Sequence, residues 1–433
     1  MGCCEPDQRA FIKQPVLSFQ GGVNSPVRAF KGLEVSPLIV ESGAGDQICD
    51  VDGNVFIDYC LSWGPLILGH AHPAVVRAAC DQMGKGSSFG IATEIEQKLA
   101  SKIAQFFPSV DKMRFVSSGT EATMTAIRVA RGYTERPKII KFIGNYHGHH
   151  DALLVQAGSG AANLNPLATS KGVNSGVIAD TILFHFNDTA AVRSFFRTSP
   201  QASQIAAVIV EPVAGNMGVV PPEPGFLEML RDETQIAGAL LIFDEVITGF
   251  RVGLQGAQHF YGIQPDLTCF GKVIGGGFPA AGVGGKANIM DHLAPLGQVY
   301  QAGTLSGNPV AMQAGFETIS LLEKPGFYED LFAKTERLVR PIERVLAKKN
   351  ASACIQCVGS MFTLFFGPKK VQSKLDLKTL DEEMFGKFFR YLFEKKIYIP
   401  PGSQEAWFLS SSHTEEHIDY TADCVVAFIE KNL

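Results

Sequence analysis

Two stretches of this chain, Ala206-Ala207-Val208-Ile209-Val210 and Ala239-Leu240-Leu241-Ile242-Phe243, are apolar at every position. A strand with one wet face alternates apolar and polar residues, because successive side chains point to opposite sides of the sheet. An unbroken apolar run of this length instead predicts a strand buried on both faces, as in a parallel sheet covered by helices. Between the runs, Phe226-Leu227-Glu228-Met229-Leu230-Arg231 fits the crossover helix that a parallel pair requires. The fold class read from this pattern is α/β, with a mostly parallel central sheet.

The surrounding sequence divides the 433 residues into three segments. Residues 1–55 carry a glycine-rich entry and short apolar runs that end at Asp50-Val51-Asp52-Gly53, a turn between strands. Residues 56–325 hold the repeated strand, turn and helix of a large domain. Residues 326–433 begin with helical periodicity (Leu331, Leu338, Ile342, Val345) and continue into strand-like Met361-Phe362-Thr363-Leu364-Phe365-Phe366. The two end segments are expected to build one smaller α+β domain, with the Lys-rich stretch 367–378 as a solvated loop.

Charge and cysteine usage narrow the function classes. With 38 Lys+Arg against 43 Asp+Glu, there is no basic footprint for nucleic acid. No window approaches the ~18 consecutive apolar residues of a membrane span. The first residues mix Glu5 and Asp7 with Arg9 and Lys13, unlike a secretory or transit segment, and Pro6 stands where a myristoylation signal needs Ser or Thr. Nine cysteines, an odd number, then read as reduced thiols in the cytoplasm. Cys354-x-x-Cys357 has no second pair at zinc-site spacing, so no metal is expected. At 46% hydrophobic and 19% charged residues, part of the surface is expected to be covered by a partner subunit.

Four local motifs carry chemistry. Asp244 follows the second apolar run, at the strand end where open α/β sheets bind ligands; an ordinary strand-end acid fits equally. Lys272, in Phe270-Gly271-Lys272-Val273-Ile274-Gly275-Gly276-Gly277, stands alone among apolar and glycine residues. Such surroundings lower a lysine's pKa and free its amine to attack a carbonyl, although a surface lysine on a glycine turn fits the same letters. Together the two suit pyridoxal phosphate, which needs a lysine for its aldehyde and an acid at its ring nitrogen. Ser118, Gly119 and Thr120 open a helical pattern and offer donors to a phosphate; Ser118 with Glu121 also fits a plain capping box. Tyr146, in Tyr146-His147-Gly148-His149-His150-Asp151, offers an aromatic face for a flat cofactor, and the histidine spacing matches no helical metal motif.

These motifs together resemble the fold-type I pyridoxal-phosphate enzymes, and within them the class III aminotransferase family. Gly21-Gly22-Val23-Asn24-Ser25-Pro26-Val27-Arg28, Ser62-Trp63-Gly64-Pro65, Ala157-Gly158-Ser159-Gly160 and Gly303-Thr304-Leu305-Ser306-Gly307-Asn308-Pro309 are similar to the aminomutase branch of that family. The resemblance runs nearly the whole length of the chain. It implies pyridoxal 5'-phosphate and pyridoxamine 5'-phosphate as cofactor forms. The implied reaction is an intramolecular amino transfer converting glutamate 1-semialdehyde, (S)-4-amino-5-oxopentanoate, to 5-aminolevulinate for tetrapyrrole synthesis. The partners it implies are a second copy in a homodimer with shared active sites and an upstream reductase.

By the same resemblance, Lys272 is the catalytic lysine, Asp244 pairs with the ring nitrogen, and Tyr146 stacks on the ring. Ser118, Gly119 and Thr120 hold the phosphate, with Thr304 reaching it from the neighbouring subunit. Asn216 lies beside the cofactor. Arg28 binds the substrate carboxylate, a role suited to the two parallel bonds of a guanidinium fork. Ser25, Trp63, Ser159 and Glu405 complete the substrate pocket, and residues 158–172 close over it. Three positions depart from the family pattern: Ser117 replaces Asn, Ile143 replaces Glu, and Trp407 brings unexpected bulk near Glu405. Two other readings fit much of the sequence. One is an ω-amino acid or amine transaminase with an external keto-acid acceptor; the other is a non-catalytic cofactor-binding protein, against which intact Lys272 and Asp244 argue.

Overall fold

The computed structural model describes residues 22–157 and 166–433. The chain forms two compact units, one of Met1–His72, Glu329–Lys370 and Asp376–Leu433, the other of Pro73–Tyr328 with Val371–Leu375.

The second unit is built on a seven-stranded sheet. Its strands are β1 (Lys112–Val116), β2 (Lys138–Ile143), β3 (Thr181–His185), β4 (Ile205–Val210), β5 (Leu240–Glu245), β6 (Leu267–Phe270) and β7 (Ala281–Gly285). Their order across the sheet is β1-β7-β6-β5-β4-β2-β3. Strand β7 is antiparallel to both neighbours, and the remaining adjacent pairs are parallel. The two unbroken apolar runs are β4 and β5, central neighbours paired Leu241 to Val208 and Ile242 to Ile209. Every residue of both strands is buried. At about 1.5–3 kcal/mol for each large apolar side chain taken out of water, this pair anchors the unit.

Two helices place the functional turns. Helix α1 (Gly119–Thr134) buries Ala122, Ala126 and Ala130 along one stripe, and these small residues let it lie close against the sheet residues Ile209, Ile242 and Val283. Helix α2 (Pro309–Leu322) crosses behind the Lys272 turn. Its Gly315 is needed there, because a Cβ at that position would overlap the Ile274 carbonyl oxygen.

In the first unit the two ends of the chain meet in one sheet of Val40–Ala44, Gln47–Asp50, Val55–Asp58 and Ile397–Tyr398. Ile397 pairs in parallel with Ile57, which makes Val55–Asp58 an inner strand and carries this unit past residue 55 to His72. The turn at 50–53 forms as expected, with the Asp50 carboxylate accepting the N–H groups of Asp52 and Asn54 at 3.0 and 2.8 Å. Two expectations are corrected. The stretch 367–378 is not merely solvated, since Val371 is 1% exposed despite its lysine-rich surroundings. Trp407 sits in the short strand Trp407–Phe408, paired with Met361 and Phe362, and stacks on Phe388 at 5.9 Å. Its bulk therefore fills the core of this unit. Among the described residues no helix is long and apolar enough to cross a membrane.

Candidate active site

The motifs of the second unit gather along the carboxyl edge of its parallel strands. Ser118 follows β1, Tyr146 follows β2, Asp244 is the penultimate residue of β5 and Lys272 follows β6. This is the edge at which open α/β sheets bind ligands, in the crevice outside the carboxyl ends of the strands. Val246 draws two of the motifs together. A Cβ built on Gly119 would touch both Val246 methyls at 3.2 Å, and one on Gly271 would touch Val246 Cγ1 at 3.1 Å. The start of α1 and the lysine turn are thus pinned to one strand end.

At the start of α1, Ser118 is the N-cap and its hydroxyl accepts the Glu121 N–H at 3.3 Å. The Glu121 carboxylate returns to accept the Ser117 N–H at 2.9 Å and the Ser118 hydroxyl at 3.0 Å. Ser118 thus caps the helix, but Glu121 takes the N–H of Ser117 and not that of the N-cap itself, so the capping box suggested by the sequence forms only in part. The N–H groups of Gly119 and Thr120 have no partner inside the helix and carry its positive end, which leaves them as donors for an anion. Thr120 Oγ1 accepts the His149 N–H at 3.3 Å and lies 3.2 Å from His149 Nδ1.

Asp244 is buried, and its two oxygens are already directed. Oδ1 accepts the Val246 N–H at 3.1 Å, and Oδ2 lies 2.7 Å from His147 Nδ1. Burial pushes the His147 pKa down, against the opposing pull of Asp244, so the ring is neutral near pH 7 and donates through Nδ1. His147 Nε2 is buried without a hydrogen-bond partner among the described residues. The next strand end adds a second acid. Glu211 accepts the Tyr146 N–H at 2.9 Å, the Gly215 N–H at 3.2 Å and the Asn216 side-chain amide at 2.8 Å. Burial first, and then repulsion from Asp244, pushes Glu211 up to about 8, which keeps it protonated at neutral pH. Lys141, inside β2, donates to the Leu153 carbonyl at 3.0 Å, and burial lowers it to about 8.

Tyr146, next to these buried groups in sequence, is itself 49% exposed. Lys272 is partly buried and takes a left-handed backbone, φ +47°, at the entry to the short turn Lys272–Gly275. A non-glycine residue there is strained by about 1–2 kcal/mol, a feature that concentrates at functional positions. A phosphate cradle, a buried carboxylate held by a neutral histidine, an exposed aromatic face and a lysine thus occupy one sheet edge. These residues fit a phosphorylated pyridine cofactor, because each polar region of such a molecule meets its complement.

The other expected residues are distributed differently. Thr304 belongs to the second unit but is exposed and takes no part in this hydrogen-bond network. Ser25, Arg28, Trp63 and Glu405 belong to the first unit. Arg28 is exposed on the short helix Pro26–Ala29, Trp63 and Glu405 are partly buried, and Thr363 donates its hydroxyl to the Glu405 carbonyl at 3.0 Å. Ser159 and most of the expected lid lie outside the described residues. The departure at Ile143 is accommodated by packing against the small apolar cluster of Val155, Ile178 and Leu183. Among the described residues no group of histidine, cysteine or acid side chains is arranged to hold a metal. Glu211 and His147 are site residues that the motif reading missed. Glu211 directly follows an unbroken apolar strand, the same signal that singled out Asp244.

The family model for class III aminotransferases matches residues 31–395, and the chain belongs to that family. Among curated relatives, glutamate-1-semialdehyde 2,1-aminomutase of Protochlamydia amoebophila (strain UWE25) is 53% identical over 412 residues, 95% of each chain. An omega-transaminase from Sphaerobacter thermophilus has the same fold, with a TM-score of 0.89, 31% identity, and coverage of 98% of this chain and 97% of that one. A transaminase with PLP bound matches with a TM-score of 0.87, 31% identity, and coverage of 99% and 98%. The fold is that of the fold-type I enzymes, and pyridoxal or pyridoxamine phosphate is the cofactor.

Proposed function

We propose that this chain is an isomerase that moves the amino group of glutamate 1-semialdehyde to the neighbouring position, giving 5-aminolevulinate for porphyrin synthesis. The observation that carries this reading is 53% identity to an aminomutase across 95% of both chains, against 31% to transaminases of the same fold. The cofactor supplies reversible storage of an amino group and a sink for the electrons left when a proton departs from carbon.

The chain's own residues then have these roles. The N–H groups of Gly119 and Thr120 hold the phosphate, joined by the Ser118 hydroxyl once it turns its proton from Glu121. Asp244 keeps a proton on the ring nitrogen, so the ring stays electron-poor. Tyr146 covers one ring face, and Asn216 stands beside it, tied to Glu211. Lys272 Nζ would hold the cofactor and move the proton between the cofactor carbon and the substrate carbon. Arg28 binds the substrate carboxylate through two charge-assisted bonds, and Ser25, Trp63, Ser159 and Glu405 shape the pocket around it.

The working unit is a homodimer in which Thr304 reaches the phosphate of the partner subunit's site. What supports this is a set of exposed apolar side chains in the second unit: Ile91 at 80%, Leu296 at 72%, Tyr300 at 71% and Leu305 at 57%. The seven described cysteines are all free, in keeping with a cytoplasmic location. The aldehyde substrate calls for a reductase upstream.

The test is single-substrate turnover. Purified protein loaded with pyridoxamine phosphate and given only the semialdehyde should form 5-aminolevulinate without any keto acid. Turnover that requires an added keto acid would assign the chain to the ω-transaminases instead, and cofactor binding with no product would assign a non-catalytic role.

A further inference from the structure

Residues 61–64 of the first unit form a turn that L-amino acids disfavour. Leu61, Ser62 and Trp63 have φ of +45°, +57° and +69°, and Gly64 follows at +107°. A left-handed backbone costs a non-glycine residue about 1–2 kcal/mol, and three in succession persist only where the surroundings over-determine them.

Those surroundings converge on one carboxylate. Asp58 closes the strand Val55–Asp58 and is 2% exposed. Its Oδ1 accepts two successive N–H groups at the start of the turn, from Cys60 at 2.7 Å and Leu61 at 3.1 Å. Its Oδ2 lies 2.7 Å from Nε2 of His70. His70 is fixed in its own right, since its backbone N–H donates to Gly45 at 2.6 Å and its carbonyl accepts the Gly45 N–H at 3.0 Å. Its ring lies over Gly43, where a Cβ would come within 2.8 Å of the ring Cγ. Leu61 is fully buried, and Gly64 abuts the Phe408 ring, so the turn is clamped at both ends while Ser62 is exposed and Trp63 partly so.

We propose that Asp58 and His70 form a positioning pair that holds the 61–64 turn left-handed and thereby sets the Trp63 indole for the substrate. This rests on the reading of Trp63 as a substrate-pocket residue. His70 donates through Nε2 and directs the carboxylate; the carboxylate then fixes the two N–H groups whose orientation starts the turn. Neither residue needs to touch substrate or cofactor. A dyad that merely closed a strand end would affect stability alone, whereas this pair governs where an indole points.

The test uses the holoenzyme and two readouts. Trp407, the second of the two tryptophans, is 2% exposed, so acrylamide-accessible emission reports Trp63. His70→Ala should raise KM for glutamate 1-semialdehyde about tenfold with kcat within about threefold, and at least double the quenching constant. His70→Gln, whose amide can still donate to Asp58, should return both readouts to within about threefold of wild type. Should His70→Ala fail to fold, Asp58→Asn keeps an acceptor for the two N–H groups and should move both readouts in the same direction by less. Unchanged quenching in a folded His70→Ala or Asp58→Asn variant would overturn the proposal. So would identical behaviour of the Ala and Gln variants, which would trace the effect to ring volume. Trp63→Ala separates the two layers of the argument. If it leaves KM unchanged while His70→Ala still steepens quenching, the substrate reading of Trp63 fails and the pair's hold on the turn stands.

Discussion

His147 Nδ1 and Asp244 Oδ2 lie 2.7 Å apart, and both side chains are withdrawn from solvent. A buried carboxylate accepting a hydrogen bond from a neutral imidazole has its orientation settled before any ligand arrives. The Val246 N–H fixes the other oxygen. Asp244 therefore reaches the sheet edge as a preorganised acceptor, the state in which electrostatic stabilisation needs least rearrangement.

Removing the histidine should loosen that acceptor. A hydrogen bond to a charged group contributes about 1.5–3 kcal/mol, so His147→Ala should bind pyridoxal phosphate ten- to a hundredfold more weakly. Equilibrium dialysis measures this directly, and an unchanged affinity would show that Asp244 needs no second partner.

Gly148 controls the phosphate cradle. Its φ is +82°, and a Cβ there would lie 2.7 Å from Thr120 Cα. Gly148→Ala must displace the start of α1 or the His149 segment, besides the ~1 kcal/mol strain of a left-handed alanine. The expected loss is specific to phosphate: affinity for pyridoxal phosphate should fall about tenfold, and affinity for unphosphorylated pyridoxal little. Equal losses for both ligands would point to general damage.

Glu211 should leave a signature in the pH dependence of stability. Its folded pKa, about 8, lies above the 4.5 of an ordinary glutamate, so the folded state binds more protons than the unfolded chain between those values. Stability from this group is complete below pH 4.5 and is lost as pH rises towards 8. Glu211→Gln cannot ionise, and its melting temperature relative to wild type should climb from about pH 5 to about pH 8 and level off above that. A constant difference across that range would mean that Glu211 stays charged in the fold.

Lys272 is predicted to be the lysine that becomes labelled. After borohydride treatment and denaturation, the wild-type chain should retain a pyridoxyl group and Lys272→Ala should not. The same variant should lose its cofactor on dialysis while keeping its fold by circular dichroism. A label on another lysine, such as the buried Lys141, would remove Lys272 from its role.

Sequence alone determined much of the scaffold. The strands β4 and β5 were legible because burial on both faces forbids polar residues at any position. Asp244 and Lys272 were legible for the converse reason: a charged side chain beside such runs is costly unless it has work to do. Glu211 obeys the same rule, standing directly after the apolar strand Ile205–Val210. Val246, by contrast, carries no local mark, because an apolar residue wedged between two functional turns looks like any core valine.

What only the tertiary structure decided is which groups meet. Trp407 lies two residues from Glu405, but its pairing with Met361 and Phe362 turns it into the core. The left-handed turn at 61–64 contains one glycine, and nothing in its letters encodes three further positive φ values; they are held by Asp58 and by His70, twelve residues further along the chain. Local sequence records how each segment partitions between water and core, a property of single residues and their period. Hydrogen-bond partners and strained backbones depend on groups brought together from distant segments, and their energies exist only once water has been excluded between them.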